Sequence, residues 1–487
     1  MNSNRVTENA SNQLWNTDLA PTEKSARTWR WTDLAALWVG MAISVPAYLL
    51  ASGLIQQGMS WWQALVTVLL GNVIVLLPML LIGHAGTRYG IPFPVLLRAS
   101  FGTIGARLPG LLRGLVACGW FGIQTWVGGF AIYQIFNSIT GGALAGTPLP
   151  VVDIDTAQLL CFLSFWLVQI YFIAHGIESI RWLEKLAAPF LMAIALALLV
   201  WAYLASGGIG EMFSQPSQFV PGGAREGQFW IVFWPSLTAM VGFWSTLALN
   251  IPDFTRFARS QRDQIIGQVV GLPLPMALLA FVSVAVTSAT VVIFGEQIWD
   301  PVVLAGKLGG WTAIFGLFLL IIATLTTNLA ANVVAPANAF SNIAPGVISF
   351  KMGGYITAGL GIAMMPWKLL ESAGDYLFLW LVGYSSLLGP IAGILVSDYF
   401  FVRRTKLNTD ALYRRGMNYE YVNGWNPMAI IALVLGVLPS LPGFLKALGA
   451  IENVPMVFVS LYNYAWFVGA FTSALIYYLL MRNSKSI

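Results

Sequence analysis

Residues 119–126 read Gly119-Trp120-Phe121-Gly122-Ile123-Gln124-Thr125-Trp126, and they lie in a run without charged residues that extends from Gly114 to Val152. That run is far longer than the roughly 20 residues that cross a bilayer as a helix. On such a helix Trp120 and Gln124 are four residues apart, so they share one face. The face combines a flat ring with an amide that both donates and accepts hydrogen bonds.

Two interpretations of Gln124 fit this arrangement. A buried amide is costly unless it is hydrogen-bonded, and a planar ligand with its own amide groups, stacked on the Trp120 ring, would supply the partners. The alternative is a core glutamine bonded to a neighbouring helix, because buried polar groups usually find partners within the protein.

The composition identifies an integral membrane protein. Of the 487 residues, 57% are hydrophobic and only 9% are charged, whereas soluble proteins contain about 25% charged residues. The apolar segments are long and continuous, which indicates helices and not a barrel of short alternating strands. The net charge of +5 comes from basic residues that flank these segments, so we do not predict nucleic-acid binding. Cys118 and Cys161 are expected to be small core residues.

Twelve membrane-spanning helices are predicted, at about 34–55, 61–84, 114–138, 157–174, 186–205, 229–251, 267–294, 311–338, 352–367, 376–401, 427–445 and 457–480. If the N-terminus is inside, 21 of the 25 lysines and arginines lie on the inner side, and the outer side has only Arg225, Lys307, Lys368 and Lys446. Basic residues concentrate on the cytoplasmic side of membrane proteins. The pattern therefore predicts a multi-pass protein of the cell (inner) membrane with both termini in the cytoplasm.

Two of the predicted spans contain helix breakers at similar positions. Span 1 contains Gly40-Met41-Ala42-Ile43-Ser44-Val45-Pro46, and span 6 contains Gly242 and then Asn250-Ile251-Pro252-Asp253. Because the two spans are five apart, a repeat of five helices would insert in the opposite orientation. Interrupted helices at matching positions of two inverted halves mark the central site of many secondary transporters, although glycine and proline are also ordinary in membrane helices.

Span 8 has a cluster of polar residues on an otherwise apolar helix, Ala323-Thr324-Leu325-Thr326-Thr327-Asn328-Leu329-Ala330-Ala331-Asn332. The hydroxyls of Thr326 and Thr327, together with carbonyls of the broken span 1, would suit a small hard cation. The alternative is that the threonines bond back to their own helix. Asn332 is either a second ligand contact or part of an interhelical hydrogen bond.

Charged residues are absent from the middle of every predicted span. Asp253, at the end of span 6, is expected to form a surface ion pair with Arg256 or Arg259. Proton-driven carriers usually have a titratable group at mid-membrane depth, so the pattern favours Na⁺ over H⁺ as a coupling ion. His84 and His175 belong to no nucleophile, metal or phosphate-loop motif, so the sequence predicts no enzyme activity.

Several ordered motifs together resemble the nucleobase–cation symporter family, which includes Na⁺/hydantoin symporters, allantoin permeases and uracil permeases. The similarity extends from about Arg27 to Met481. The stretches that carry it are Arg27-Thr28-Trp29, Gly90-Ile91-Pro92-Phe93-Pro94-Val95, Trp120 to Trp126, Asn250 to Ala258, Thr326-Thr327-Asn328 with Ala331-Asn332, Gly389-Pro390, and Ser397-Asp398-Tyr399-Phe400.

The resemblance implies an all-α membrane protein with twelve helices in the LeuT-type fold, which consists of two inverted five-helix repeats and two extra helices. It divides the chain into a cytoplasmic tail (1–30), a first repeat (31–205), a second, inverted repeat (206–405), two additional helices (406–481) and a C-terminal tail (482–487).

The resemblance also implies the site residues. The substrate would lie between Trp120 and Trp244, with further contacts from Gln124, Asn332, Ser44 and Phe243. A Na⁺ ion would be coordinated by the carbonyls of Gly40, Ile43 and Ala323 and the hydroxyls of Thr326 and Thr327.

Ser44 directs the choice of substrate. At the matching position hydantoin symporters have glutamine and allantoin permeases have asparagine, whereas a small residue resembles the uracil and plant plastid nucleobase branch, as does Gly383-Tyr384-Ser385. Plant members have glutamate where Gln124 stands, so plant-like purine selectivity is not expected.

From these features we predict a symporter that works as a monomer in the lipid bilayer and imports uracil, or a related planar cyclic amide, by alternating access. It would use no cofactor. Its coupling ion would be Na⁺, with H⁺ as the alternative. The rival functions are an allantoin or hydantoin permease and an uncoupled facilitator or channel.

Overall fold

A computed structural model describes residues 14–175 and 193–483, and this part of the chain is almost entirely helical. The described residues contain no β-strand and only two isolated bridges, Trp29–Ala258 and Val422–Trp425. The predicted all-α class is therefore confirmed.

The main helices are α1 (Trp31–Ala42), α2 (Val45–Gln56), α3 (Trp61–Tyr89), α4 (Phe93–Phe101), α5 (Arg107–Ile139), α6 (Thr156–His175), α7 (Ala193–Ala205), α8 (Phe229–Asn250), α9 (Gln261–Gly271), α10 (Pro273–Phe294), α11 (Pro301–Leu308), α12 (Gly310–Asn332), α13 (Val334–Ile343), α14 (Phe350–Ala363), α15 (Val382–Val396), α16 (Pro427–Val437), α17 (Leu441–Ala447), α18 (Met456–Asn463) and α19 (Ala465–Met481). π-Helical segments, Asp375–Leu381 and Ser397–Val402, extend α15 at both ends.

Within the described ranges, seven helices are long and apolar enough to cross a membrane, and three bent pairs bring the number to ten. Two predicted spans account for the difference from twelve. The span at 186–205 begins outside the described residues and continues as α7, and the span at 352–367 corresponds to α14, which has only 14 residues. The count of twelve thus stays a prediction.

The predicted interruption of span 1 is confirmed. α1 and α2 meet at a bend of 57° around Ile43 and Ser44. Pro46 lies in the first turn of α2, where its missing N–H costs nothing. The Ser44 hydroxyl accepts a hydrogen bond from the Ala47 N–H at 3.4 Å and so caps α2.

The predicted break at Gly242 in span 6 is wrong, because α8 continues through it without interruption. Ser245 donates its hydroxyl to the Gly242 carbonyl at 2.7 Å. A Cβ at Gly242 would collide with the Ser385 hydroxyl of α15, so this glycine allows two helices to approach closely. The interruption of this span comes later, at Ile251, where Pro252 starts a new turn.

Arg98 connects the short helix α4 to Asn342 and Leu412. The N-terminal segment packs nearby, where Leu19 accepts a hydrogen bond from Tyr413. The Arg98 side chain is fully buried. It donates two hydrogen bonds to Asn342 Oδ1, at 2.7 and 3.1 Å, and one to the Leu412 carbonyl at 3.0 Å. Burial lowers the pKa of this guanidinium to about 10, so it stays charged at neutral pH.

Candidate functional site

The aromatic residues predicted to bind substrate form one buried cluster, but the two tryptophans do not face each other across a gap. The Phe243 ring lies between them, with its centroid 5.2 Å from that of Trp120 and 4.8 Å from that of Trp244. Trp38 of α1, which the sequence did not single out, packs edge-on against Trp244 at 5.2 Å. A flat ligand between the two tryptophans must therefore take the place of Phe243.

Three further rings surround Trp120, and all come from the chain segment of span 10. They are Tyr376 at 6.1 Å, Trp380 at 5.9 Å and Tyr384 at 6.3 Å, each packed edge-on. Their spacing of four residues places them on one helix face, a signal that was readable in the sequence. The Tyr376 hydroxyl also donates to the Pro46 carbonyl at 2.9 Å, which ties this segment to the start of α2.

Gln124 is 4% exposed, and its Oε1 is buried without a hydrogen-bond partner among the described residues. The indole Nε1 of Trp244 is also buried without a partner. A buried unsatisfied polar group costs about 1–3 kcal/mol, so a polar ligand that bonded to either atom would gain free energy. The core-glutamine alternative predicted a partner for Oε1 in a neighbouring helix, and the described residues supply none.

Asn332 is held by a chain of side-chain hydrogen bonds that links three helices. Its Nδ2 donates to Asn328 Oδ1 at 2.9 Å, and Asn328 donates to Gln169 Oε1 of α6 at 2.6 Å. Gln169 in turn donates to the Thr125 hydroxyl of α5 at 2.8 Å. Sequence inspection did not reveal Gln169 as part of the support of Asn332, because its contacts with Asn328 and Thr125 connect residues more than 40 positions apart.

The residues predicted to bind a cation come together where α12 passes the break between α1 and α2. Thr327 donates its hydroxyl to the Gly40 carbonyl at 3.3 Å, across to α1. Thr326 bonds back to the Ala323 carbonyl at 2.8 Å, as the alternative interpretation of this residue anticipated. Ala323 and Ile43 line the same cavity, which has a volume of about 40 Å³.

The cavity is small and almost entirely apolar. Its other lining residues include Ser44 and Tyr48 of the broken span, Ala195 of α7 and Val282 of α10. A cavity needs a volume of roughly 10–15 Å³ to hold one water molecule. This cavity is therefore large enough for an ion or a few waters and too small for a nucleobase. Ser44 lies in its wall and uses its hydroxyl to cap α2.

One prediction about charged residues is wrong, and one buried charge was not predicted. Asp253 is 3% exposed and accepts a hydrogen bond from the Phe93 N–H at 2.9 Å, so it fastens α4 and makes no surface ion pair. Arg113 lies well inside α5 and is 1% exposed. The predicted span began one residue after Arg113, and α5 starts at Arg107, which is why this buried charge was overlooked.

No cluster of three or more metal-binding side chains occurs in the part of the chain that the structure describes. His84 contacts the Tyr399 hydroxyl at 2.9 Å, and the ring of His175 contacts the carbonyl of Tyr171 on its own helix.

The fold and site together define a membrane transport protein. The sequence profile of the family described as permeases for cytosine/purines, uracil, thiamine and allantoin matches residues 21–469. The chain belongs to this family, and it is a permease and not an enzyme.

Individual relatives agree with this assignment. A protein of Arabidopsis thaliana named purine-uracil permease NCS1 is 47% identical over 96% of this chain and 78% of its own length. A Bacillus subtilis allantoin permease is 41% identical over 98% of this chain and 95% of its own length.

Among solved structures, Mhp1, described as a nucleobase-cation-symport-1 family transporter, matches in two states. Its inward-facing conformation is 27% identical, with a TM-score of 0.78 over 97% of this chain and 94% of Mhp1. Its closed conformation with bromovinylhydantoin is 28% identical, with a TM-score of 0.75 over 96% and 95%. The LeuT-type fold that the resemblance implied is confirmed.

Proposed function

We propose that the protein imports a nucleobase or a related planar cyclic amide together with a cation, by alternating access. Uracil is the substrate that we propose first. The observation that carries this proposal is the buried Oε1 of Gln124, which has no partner among the described residues and lies one helical turn from Trp120. An N–H of a cyclic amide would satisfy this oxygen while the flat ring packs on the indole.

We propose that the protein lies in the cell (inner) membrane. The distribution of basic residues supports an orientation with both termini in the cytoplasm. In that orientation, α4 and the N-terminal segment lie at the cytoplasmic end. The tryptophan cluster then lies between the two membrane faces. We also propose that the monomer is the functional unit.

Cation coupling is proposed at the junction of α1, α2 and α12. A Na⁺ ion there would bind the carbonyls of Gly40, Ile43 and Ala323 and the hydroxyl oxygens of Thr326 and Thr327. Since Thr327 already bonds to Gly40, an ion that replaces this hydrogen bond would connect the same two helices. If Na⁺ favours the state that binds substrate, substrate raises the affinity for Na⁺ by the same factor.

Ser44 supports uracil over larger ureides. Serine has no long amide side chain to contact a ligand, and its hydroxyl caps α2. Allantoin carries a ureido tail in addition to its ring, and each polar group of that tail left without a partner would cost affinity. The Arabidopsis relative is named for purines and uracil.

The second candidate is an allantoin or hydantoin permease. The Bacillus relative is named an allantoin permease and aligns over nearly the whole of both chains. The closed structure of Mhp1 holds bromovinylhydantoin.

Uptake of radiolabelled uracil into cells that express the protein tests both proposals. We expect saturable uptake that is lost when choline replaces Na⁺ and that unlabelled allantoin, hydantoin, adenine and cytosine leave unchanged. Allantoin-sensitive or hydantoin-sensitive uptake would favour the second candidate. Uptake that does not depend on Na⁺ but depends on the pH gradient would show that H⁺ is the coupling ion. Failure to concentrate the substrate would indicate a facilitator.

A further inference from the structure

Arg113 is a fully buried positive charge on the same helix as the proposed substrate site. It precedes Trp120 by seven residues and Gln124 by eleven, so the three side chains lie along one face of α5. It forms no ion pair with any carboxylate that the structure describes. Ionisable residues inside membrane spans are costly, and they usually face a functional cavity or path.

The guanidinium is held by α8 but is not fully satisfied. Its Nε donates to the Thr246 carbonyl at 2.7 Å, and its Nη2 donates to Asn250 Oδ1 at 2.7 Å. Among the described residues, its Nη1 and the Nδ2 of Asn250 are buried without a partner, and so is the Oδ2 of Asp253, three residues after Asn250. Two neighbouring donors, one of them charged, therefore lack an acceptor.

These donors lie on α5 and α8, the same two helices that carry the tryptophans of the aromatic cluster. Tyr384 packs against Trp120 and is also close enough to Arg113 for an electrostatic interaction. Asn250 follows Trp244 by six residues, which is about 9 Å along the helix axis. The direction is toward Asp253 and α4, the end of the molecule that we assign to the cytoplasm.

An unsatisfied charged donor costs more than an unsatisfied neutral group. The missing partner is a hydrogen-bond acceptor. Cyclic amides such as uracil, allantoin and hydantoin all have carbonyl oxygens, and a guanidinium makes strong hydrogen bonds with such oxygens. A small anion such as chloride offers the same acceptor chemistry.

We propose that Arg113 Nη1 and Asn250 Nδ2 form a second binding site, which receives a carbonyl oxygen of the substrate between the tryptophan cluster and the cytoplasm. This inference rests on the proposed function. The substrate occupies this site after it leaves Trp120 and before release, and it enters the same site first when transport runs in reverse.

The test compares the substrate KM from the two sides of the membrane. Influx into whole cells reports the outer side, and uptake into inverted membrane vesicles reports the cytoplasmic side. Arg113→Lys keeps the positive charge but loses the planar guanidinium, which could bond to Asn250 and to a substrate carbonyl at the same time. We expect its cytoplasmic KM to rise about tenfold and its outer KM to stay within about twofold of wild type. Arg98→Lys is the matched control, since Arg98 is equally buried but fully bonded, and it should alter neither KM selectively.

Asn250→Asp provides a second variant that keeps the contact to Arg113 as an ion pair and removes the free donor. It should reproduce the one-sided rise in KM even if Arg113→Lys does not reach the membrane. Equal changes on both sides, or a loss of maximal rate with unchanged KM, would overturn the proposal and leave Arg113 as a structural link. An effect that disappears when gluconate replaces chloride would assign the site to an anion and overturn it as well.

The two proposals fail differently. If the wild-type protein transports none of uracil, allantoin and hydantoin, both the proposed function and the second binding site are refuted. If wild-type transport is normal and Arg113→Lys shows no asymmetry, only the second site is refuted.

Discussion

The substitution Gln124→Met is expected to remove substrate binding without weakening the fold. Methionine has nearly the volume of glutamine and replaces its amide with an apolar group. In the structure Oε1 of Gln124 is buried and has no partner, so no described hydrogen bond to that oxygen is lost when the amide is removed.

The two effects have opposite signs. Removing an unsatisfied buried oxygen should leave the free energy of unfolding unchanged or raise it by up to about 1–3 kcal/mol. Binding should weaken by about 2–3 kcal/mol, because the substrate loses its partner and its own polar groups stay unpaired in a dry site. That loss corresponds to a roughly 30- to 150-fold increase in Kd.

Gln169→Met is the matched control, because it makes the same chemical change in a glutamine that is fully bonded. Gln169 accepts from Asn328 and donates to Thr125, so its loss removes two buried hydrogen bonds. This variant should be destabilised by about 1–3 kcal/mol. Its substrate affinity should change less than that of Gln124→Met.

Purified protein in detergent allows both quantities to be measured on one sample, with the Tm from thermal denaturation and the Kd from quenching of tryptophan fluorescence by uracil. The reasoning would be refuted if Gln124→Met had a lower Tm than Gln169→Met and still bound substrate with wild-type affinity. Gln124 would then be a structural residue, as the alternative interpretation of the sequence held.

Three further predictions follow from the same contacts. Thr327→Val removes the hydroxyl that reaches Gly40, so the Na⁺ concentration for half-maximal uptake should rise about tenfold, and an unchanged Na⁺ dependence would remove Thr327 from the ion site. Phe243→Ala should open space between the tryptophans and admit bulkier cyclic amides, which competition assays with substituted uracils would detect; unchanged selectivity would show that Phe243 does not occupy the substrate position. Tyr376→Phe loses the hydrogen bond to Pro46 and should lower the free energy of unfolding by about 1 kcal/mol, and an unchanged denaturation midpoint would contradict this.

The local chemistry of the sequence determined several features of this protein. Long uncharged segments require helices, because unpaired backbone groups are too costly in a bilayer. Ser44 and Pro46 interrupt the first span through a side-chain cap and a missing N–H. The spacing of Trp120 and Gln124 places them on one face, whatever the rest of the chain does. These features depend on residues at most a few positions apart.

The tertiary structure decided where the segments meet. The position of the Phe243 ring between Trp120 and Trp244 depends on how α5 and α8 cross. The close approach of Ser385 to Gly242 depends on how α15 packs against α8. No local pattern contains the distance from Phe243 to Trp120 or from Gly242 to Ser385, since each joins residues more than 100 positions apart.

Arg113 shows the difference most directly. At the edge of a hydrophobic segment, the sequence alone makes an arginine a flanking, solvated residue. Only the packing of α5 against α8 buries its guanidinium and supplies Thr246 and Asn250 as acceptors. Whether a charge is exposed or buried is set by its neighbours in space, and for this residue those neighbours lie more than 130 positions away in the chain.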